Sequence, residues 1–173
     1  PMVSYHASGG VMMVMMPGAV PQLTPLLVSN PSDSFDPADP WFNALDPSAQ
    51  GASFSRRYGF DMDPGSDPLP ADTQIWIRKL AGPANLKFYS PSAPVFGTDG
   101  TTNAVYWNTV MWHPVVAAPP GTNSYTATFE AYLVDTTTGQ EVANSSSGPL
   151  IFNWTNMSDG RPALILAQKI VVA

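Results

Sequence analysis

The sequence predicts an all-β protein: a single β-sandwich or jelly-roll-like domain of about seven to nine mainly antiparallel strands, with a long Pro/Asp-rich loop region near its N-terminus. Three observations predict it. Apolar and polar residues alternate with a period of two along most of the chain after residue 53, as half-buried strands require. Prolines number 19 and glycines 13 in 173 residues, and they punctuate the chain at strand-length intervals. Charged residues are only 12%, about half the usual ~25%, which argues against a helical bundle rich in Lys and Glu.

The elements follow in order. Residues 1–18 form an apolar N-terminal strand or arm, whose Val11-Met12-Met13-Val14-Met15-Met16 run is closed by Pro17-Gly18. Apolar on both faces, this run reads as a strand buried in its own sheet or inserted between subunits, with methionine filling uneven gaps. Residues 19–52 are a Pro/Asp-rich extended segment clasped onto the domain by Phe35, Trp41, Phe42 and Leu45. Asp-Pro pairs such as Asp36-Pro37 and Asp46-Pro47 disfavour helix there, because proline fixes its own φ and restricts the residue before it. Residues 53–173 carry the sandwich.

Within that span, Phe54 to Met62 reads as one strand with Phe54, Arg56, Tyr58, Phe60 and Met62 on a single face. Ile75 to Arg78 is a second, running until Gly82-Pro83 ends it. Ala104 to Trp112 is expected to put Val105, Trp107, Thr109 and Met111 on one face and Tyr106, Asn108, Val110 and Trp112 on the other. The clearest strand is Tyr125 to Asp135, with Tyr125, Ala127, Phe129, Ala131 and Leu133 facing one way and Thr126, Thr128, Glu130, Tyr132 and Val134 the other. Thr136-Thr137-Thr138-Gly139 then makes a hairpin loop into Gln140-Glu141-Val142, with Gly139 available for positive φ. Leu150 to Thr155 and Leu164 to Val172 complete the set.

Composition excludes several functions. A net charge of −6 with only seven basic residues does not suit a protein that tracks nucleic-acid phosphates. Cysteine is absent, which removes disulfides, thiolate metal sites and cysteine nucleophiles. No run approaches the ~18 apolar residues of a spanning helix. There is no Gly-x-Ser-x-Gly elbow and no glycine-rich phosphate loop, so the expectation is a protein that is not an enzyme and carries no cofactor.

Some residues still invite a ligand. Asp61, Asp63 and Asp67 lie at relative positions 1, 3 and 7 of a tight loop, a spacing that can offer oxygens to calcium. Against that, Ser66 occupies the place where a calcium loop needs glycine, and a Pro/Asp turn that satisfies its own backbone explains the pattern as well. His6 and His113 are the only histidines, and nothing in their spacing joins them. The methionines could hold copper through thioethers, but a buried strand accounts for them more simply. Trp112 and Tyr106 are candidates for stacking a glycan on an outer sheet face. Asn144, Asn153 and Asn156 each head an Asn-x-Ser/Thr sequon.

The stretch His113-Pro114, Ala118-Pro119-Pro120-Gly121-Thr122, Thr128-Phe129-Glu130-Ala131-Tyr132-Leu133-Val134-Asp135 and Gly139-Gln140-Glu141-Val142 resembles exported bacterial β-sandwich proteins of the PEP-CTERM-sorted kind. The likeness is one of strand-and-turn texture over about residues 35–160. The Pro-Glu-Pro motif, spanning segment and basic tail of that group have no counterpart up to Ala173. The resemblance therefore implies an extracellular, non-catalytic setting and transfers no functional residue.

The expected function is that of a structural protein: a self-assembling subunit of an extracellular filament, surface layer or shell, forming a homo-oligomer or polymer. Strand exchange would use Val11, Met12, Met13, Val14, Met15 and Met16, or Leu164, Leu166, Ile170 and Val172, to complete a neighbour's sheet. The alternatives are a monomeric secreted carbohydrate-binding module, with or without calcium, and a viral capsid or decoration protein, which would fit a first residue, Pro1, left by removal of an initiator methionine.

Overall fold

The structure, a computed structural model, describes residues 1–23, 52–90, 93–119 and 121–156. It is all-β, with twelve strands and one short 3-10 turn among these residues. The frame is a five-stranded sheet built on the two longest strands, β6 (Thr73–Ala81) and β11 (Ser124–Asp135). Its order is β3-β12-β11-β6-β9, with β3 at Gln22–Leu23, β9 at Ala104–Trp107 and β12 at Leu150–Asn156. A four-stranded sheet of order β4-β10-β7-β8 comprises Ser53–Ser55, Val115–Ala118, Lys87–Ser90 and Ala93–Val95 respectively. A third sheet, β2-β1-β5, joins Gly10–Val14, Met2–His6 and Asp61–Met62. Seven of the nine strand pairings are antiparallel; β1 with β5 and β12 with β3 are the parallel ones.

On β11, Tyr125, Ala127, Phe129, Ala131 and Leu133 share one face and are all buried in the main core, as the alternation predicts. Glu130 and Tyr132 on the other face are buried too, so the contrast between faces is lost in the second half of the strand. Phe129 is its hub. Its ring lies 4.8 Å from Phe152, 5.0 Å from Phe96, 5.4 Å from Phe88 and 6.3 Å from Phe60, mostly edge to face, the arrangement aromatic quadrupoles favour. Phe88 comes from β7 and Phe129 from β11, so this contact joins the faces of the two larger sheets, as in a sandwich. Val3, Val11 and Met13 carry the third sheet into the same core.

Hydrogen bonds show how β11 is covered along its length. Its first half pairs with β12. Its second half receives the 140–147 segment: Val142 N–H donates to Leu133 O, Ser147 N–H to Ala131 O, and Leu133 N–H to Ser145 Oγ. The turn into that segment is the expected hairpin, with Gly139 at φ +69 and its N–H bonded to Asp135 O. Val11 N–H in turn donates to Ser145 O, which stitches the third sheet to the hairpin arm.

Four expectations change in detail. The Phe54–Met62 strand is two short ones, β4 and β5, joined by an irregular crossing. Phe54 therefore packs with Tyr89, Val115 and Ala117 in a second apolar cluster while Phe60 enters the main core, so the two do not share a face. Ala104–Trp112 stops pairing at Trp107, because Thr109 adopts φ +64; the break in parity turns Trp112 against Phe60 and leaves Met111 60% exposed. The methionine strand is not buried on both sides: Val11 and Met13 are inside, while Met12 and Val14 are about half exposed. The strand count exceeds seven to nine, since short pairings such as β3 and β5 carry no periodic signal. The Leu164–Val172 segment and the clasp residues Phe35, Trp41, Phe42 and Leu45 lie outside the described residues.

Candidate functional site

Three surfaces bear on function. The first is the outer face and edge of β2. The carbonyls of Pro1, Val3 and Tyr5 accept N–H groups from Asp61, Asp63 and Asp67, so β1 is occupied on that side by the 61–67 segment. Alternation of the ladder then directs the backbone groups of Met2, Ser4 and His6 toward β2. On β2 it turns those of Val11 and Met13 outward. Val11 N–H is taken by Ser145; beyond it β2 ends its sheet, with no further strand paired there among the described residues. Met12, Val14 and Met16 stand 46–56% exposed beside that edge. This places Val11–Val14 within the chain's own sheet, with one side chain in two turned to the surface, and Met15 and Met16 just beyond its end.

The second surface is a groove of about 320 Å³ along the β9 edge, and it brings together the two aromatic candidates, Tyr106 and Trp112. Tyr106 is half exposed, and Trp76 lies 6.3 Å from it on the neighbouring strand. Trp112 stacks on Phe60 at 5.6 Å and donates its indole N–H to Ser90 Oγ at 2.7 Å. The floor is fixed by Trp107, whose Nε1–H donates to Val110 O at 2.8 Å. Asn108 Oδ1 accepts from Val110 N–H, and Thr109 is held in the left-handed region between them. A β-branched residue in that region is a true backbone outlier. The turn so built presents Val110 and Met111 at the mouth, both at least 60% exposed.

The third is polar. Arg78 on β6 pairs with Glu130 on β11 and, at 2.9 Å, with Glu141 on the hairpin arm. Its guanidinium also lies 4.3 Å over the Tyr132 ring. Ser146 Oγ donates to the second oxygen of Glu130 at 2.6 Å. Burial pulls the guanidinium pKa down, but hydrogen bonds to Glu141 and Glu130 outweigh it and leave it raised. Every oxygen of the nearly buried Glu130 carboxylate is thus engaged, which is what a buried charge needs. Sequence reasoning missed this cluster because its members are 52 and 63 residues apart; the only available signal was that two glutamates stand among eleven aspartates.

The remaining candidates are dispersed. Asp61 Oδ1 accepts Met62 N–H, Asp63 Oδ1 accepts Gly65 N–H at 2.8 Å, and Asp67 Oδ2 accepts Ala7 N–H at 3.0 Å. Each carboxylate serves a different backbone donor, and the loop acts as a strap along β1. Among the described residues no three His, Asp or Glu side chains gather around a common point. His6 belongs to β1, whereas His113 bonds Arg56 O through Nδ1 at 2.8 Å. Asn144 is exposed and Asn153 is exposed on β12. Asn156 is 3% exposed with its amide donating to Pro119 O, so it is closed to modification in the folded chain.

Among the described residues no helix is long and apolar enough to cross a membrane. No family model matches the chain, and no curated protein or solved structure matches it either.

Proposed function

We propose that the protein is a non-catalytic structural subunit that assembles with copies of itself through the β2 edge, as part of an extracellular filament, surface layer or shell. The observation that carries the reading is the exposed apolar row Met12, Val14 and Met16 beside an unextended sheet edge. Natural proteins guard such edges with charge, proline or bulges. Here the whole of residues 1–32 contains no Asp, Glu, Lys or Arg. A neutral edge of this kind suits a second copy of itself, since two identical antiparallel edges meet without like-charge repulsion.

Because Val11 and Met13 belong to the chain's own core, the mode we propose is edge and face docking, with β2 remaining on β1. The test is sedimentation velocity and negative-stain microscopy of the protein beside its Met12→Lys/Val14→Lys variant. Both substitutions lie on the exposed face, so the monomer fold survives them. Assemblies that revert to monomer in the variant support the reading. A wild-type protein that stays monomeric as concentration rises, or a variant that assembles equally well, overturns it.

A further inference from the structure

We propose that the groove along the β9 edge is a carbohydrate-binding site that takes an uncharged oligosaccharide, with Tyr106 and Trp112 as its stacking surfaces. This reading is independent of assembly through β2, because the groove lies on the edge of a different sheet.

The chemistry of the lining selects the ligand. None of the groove residues carries a charge, so nothing there pairs with a phosphate, a carboxylate or an ammonium group. The half-exposed Tyr106 ring instead offers an apolar face, and Trp112, packed on Phe60 and Phe96, forms a partly buried aromatic wall beside it, an environment for which Tyr and Trp are suited. A pyranose ring matches this lining: C–H groups for the rings, hydroxyls for its polar groups. Polar partners are in place. The Asn108 amide nitrogen remains a donor after its oxygen is used by Val110, and the Ser90 hydroxyl, accepting from Trp112, keeps its own proton to donate. The size falls at the lower end of the roughly 300–1,000 Å³ of small-ligand sites.

The groove is also built in advance. Trp112 is braced on Phe60 and anchored to Ser90, and the 108–111 turn is pinned through the Trp107 indole. Thr109 holds its left-handed backbone only because those bonds over-determine it, and strain of this sort concentrates at functional positions. The turn displays Val110 and Met111 at its tip.

The experiment is a titration of the intact protein with cellohexaose, xylohexaose, mannohexaose and chitohexaose at millimolar concentration, followed by tryptophan fluorescence and calorimetry. It is repeated with Tyr106→Ala and Asn108→Ala. Both residues are exposed, and far-UV circular dichroism and thermal melts verify that each variant folds. The expected result is binding of at least one oligosaccharide, weakened about tenfold or more by Tyr106→Ala. Absence of binding to all four sugars overturns the proposal, as does binding that neither variant weakens. Loss of self-association in the same variants without sugar binding would overturn it too, by making the groove a protein interface.

Discussion

The imidazole of His113 lies directly across Gly59: a β-carbon built on Gly59 would sit 2.5 Å from two atoms of the ring. The ring cannot easily yield, because its Nδ1 is bonded to Arg56 O on the same crossing. This contact lies where the chain passes from β4 toward β5.

Gly59→Ala is therefore expected to destabilise the fold by about 1–3 kcal/mol, the usual cost of overpacking, measured by urea unfolding. The double variant Gly59→Ala/His113→Ala should recover part of that loss, because the smaller side chain removes the clash. Equal and additive losses in the double variant would show that the ring is not the obstacle.

The Arg78 cluster separates a buried partner from an exposed one. Glu130→Ala removes a carboxylate whose side chain is 9% exposed and strands the Ser146 hydroxyl, so a loss of about 1–3 kcal/mol is expected. Glu141→Ala removes a partner 40% exposed, for which water substitutes readily, and should cost under about 1 kcal/mol. Denaturant melts of the two variants give the comparison, and a larger effect at Glu141 would reverse the assignment.

Stability should fall at alkaline pH. Burial raises the pKa of Tyr58, Tyr89 and Tyr132 above 10.0, against smaller opposing effects from the Asn153 backbone, Lys87 and Arg78 respectively. A raised folded pKa means that the stabilising contribution is whole below pH 10 and is lost as pH rises through the folded values. Thermal midpoints should hold up to about pH 10 and then decline together with tyrosinate absorbance. A midpoint that is flat through this range would contradict the burial of these hydroxyl groups.

How legible the molecule was in its sequence varied with range. The β11 strand and its hairpin were plain, because alternation and a Gly139 turn are local properties that neighbours did not override. The β9 turn was not legible beyond Trp107: alternation carried through Thr109, whose positive φ is set by the Trp107–Val110 and Asn108 bonds and leaves no periodic trace. Tyr106 and Trp112 were nevertheless singled out by residue type, and the groove that unites them depends on that hidden turn. The Asp61–Asp67 spacing was seen but ambiguous, since carboxylates at alternate positions serve a strap as readily as a cation. The Arg78 cluster needed strand register, which only long-range pairing supplies.

The two parallel pairings set a condition on how the chain can fold. Gln22 pairs with Thr155, and Met2 with Asp61, so strands near the beginning are held by partners made much later. On a ribosome the early apolar segment would emerge long before Thr155 exists to receive β3. Such distant contacts place folding in the slow, millisecond-to-second class of β proteins. During that interval the β1–β2 hairpin has its own pairing but not the core that covers it, so Val11 and Met13 stand uncovered in a segment free of charge. The same lack of charge proposed to serve assembly would then make timing, and any chaperone that governs it, part of what keeps the chains from joining too early.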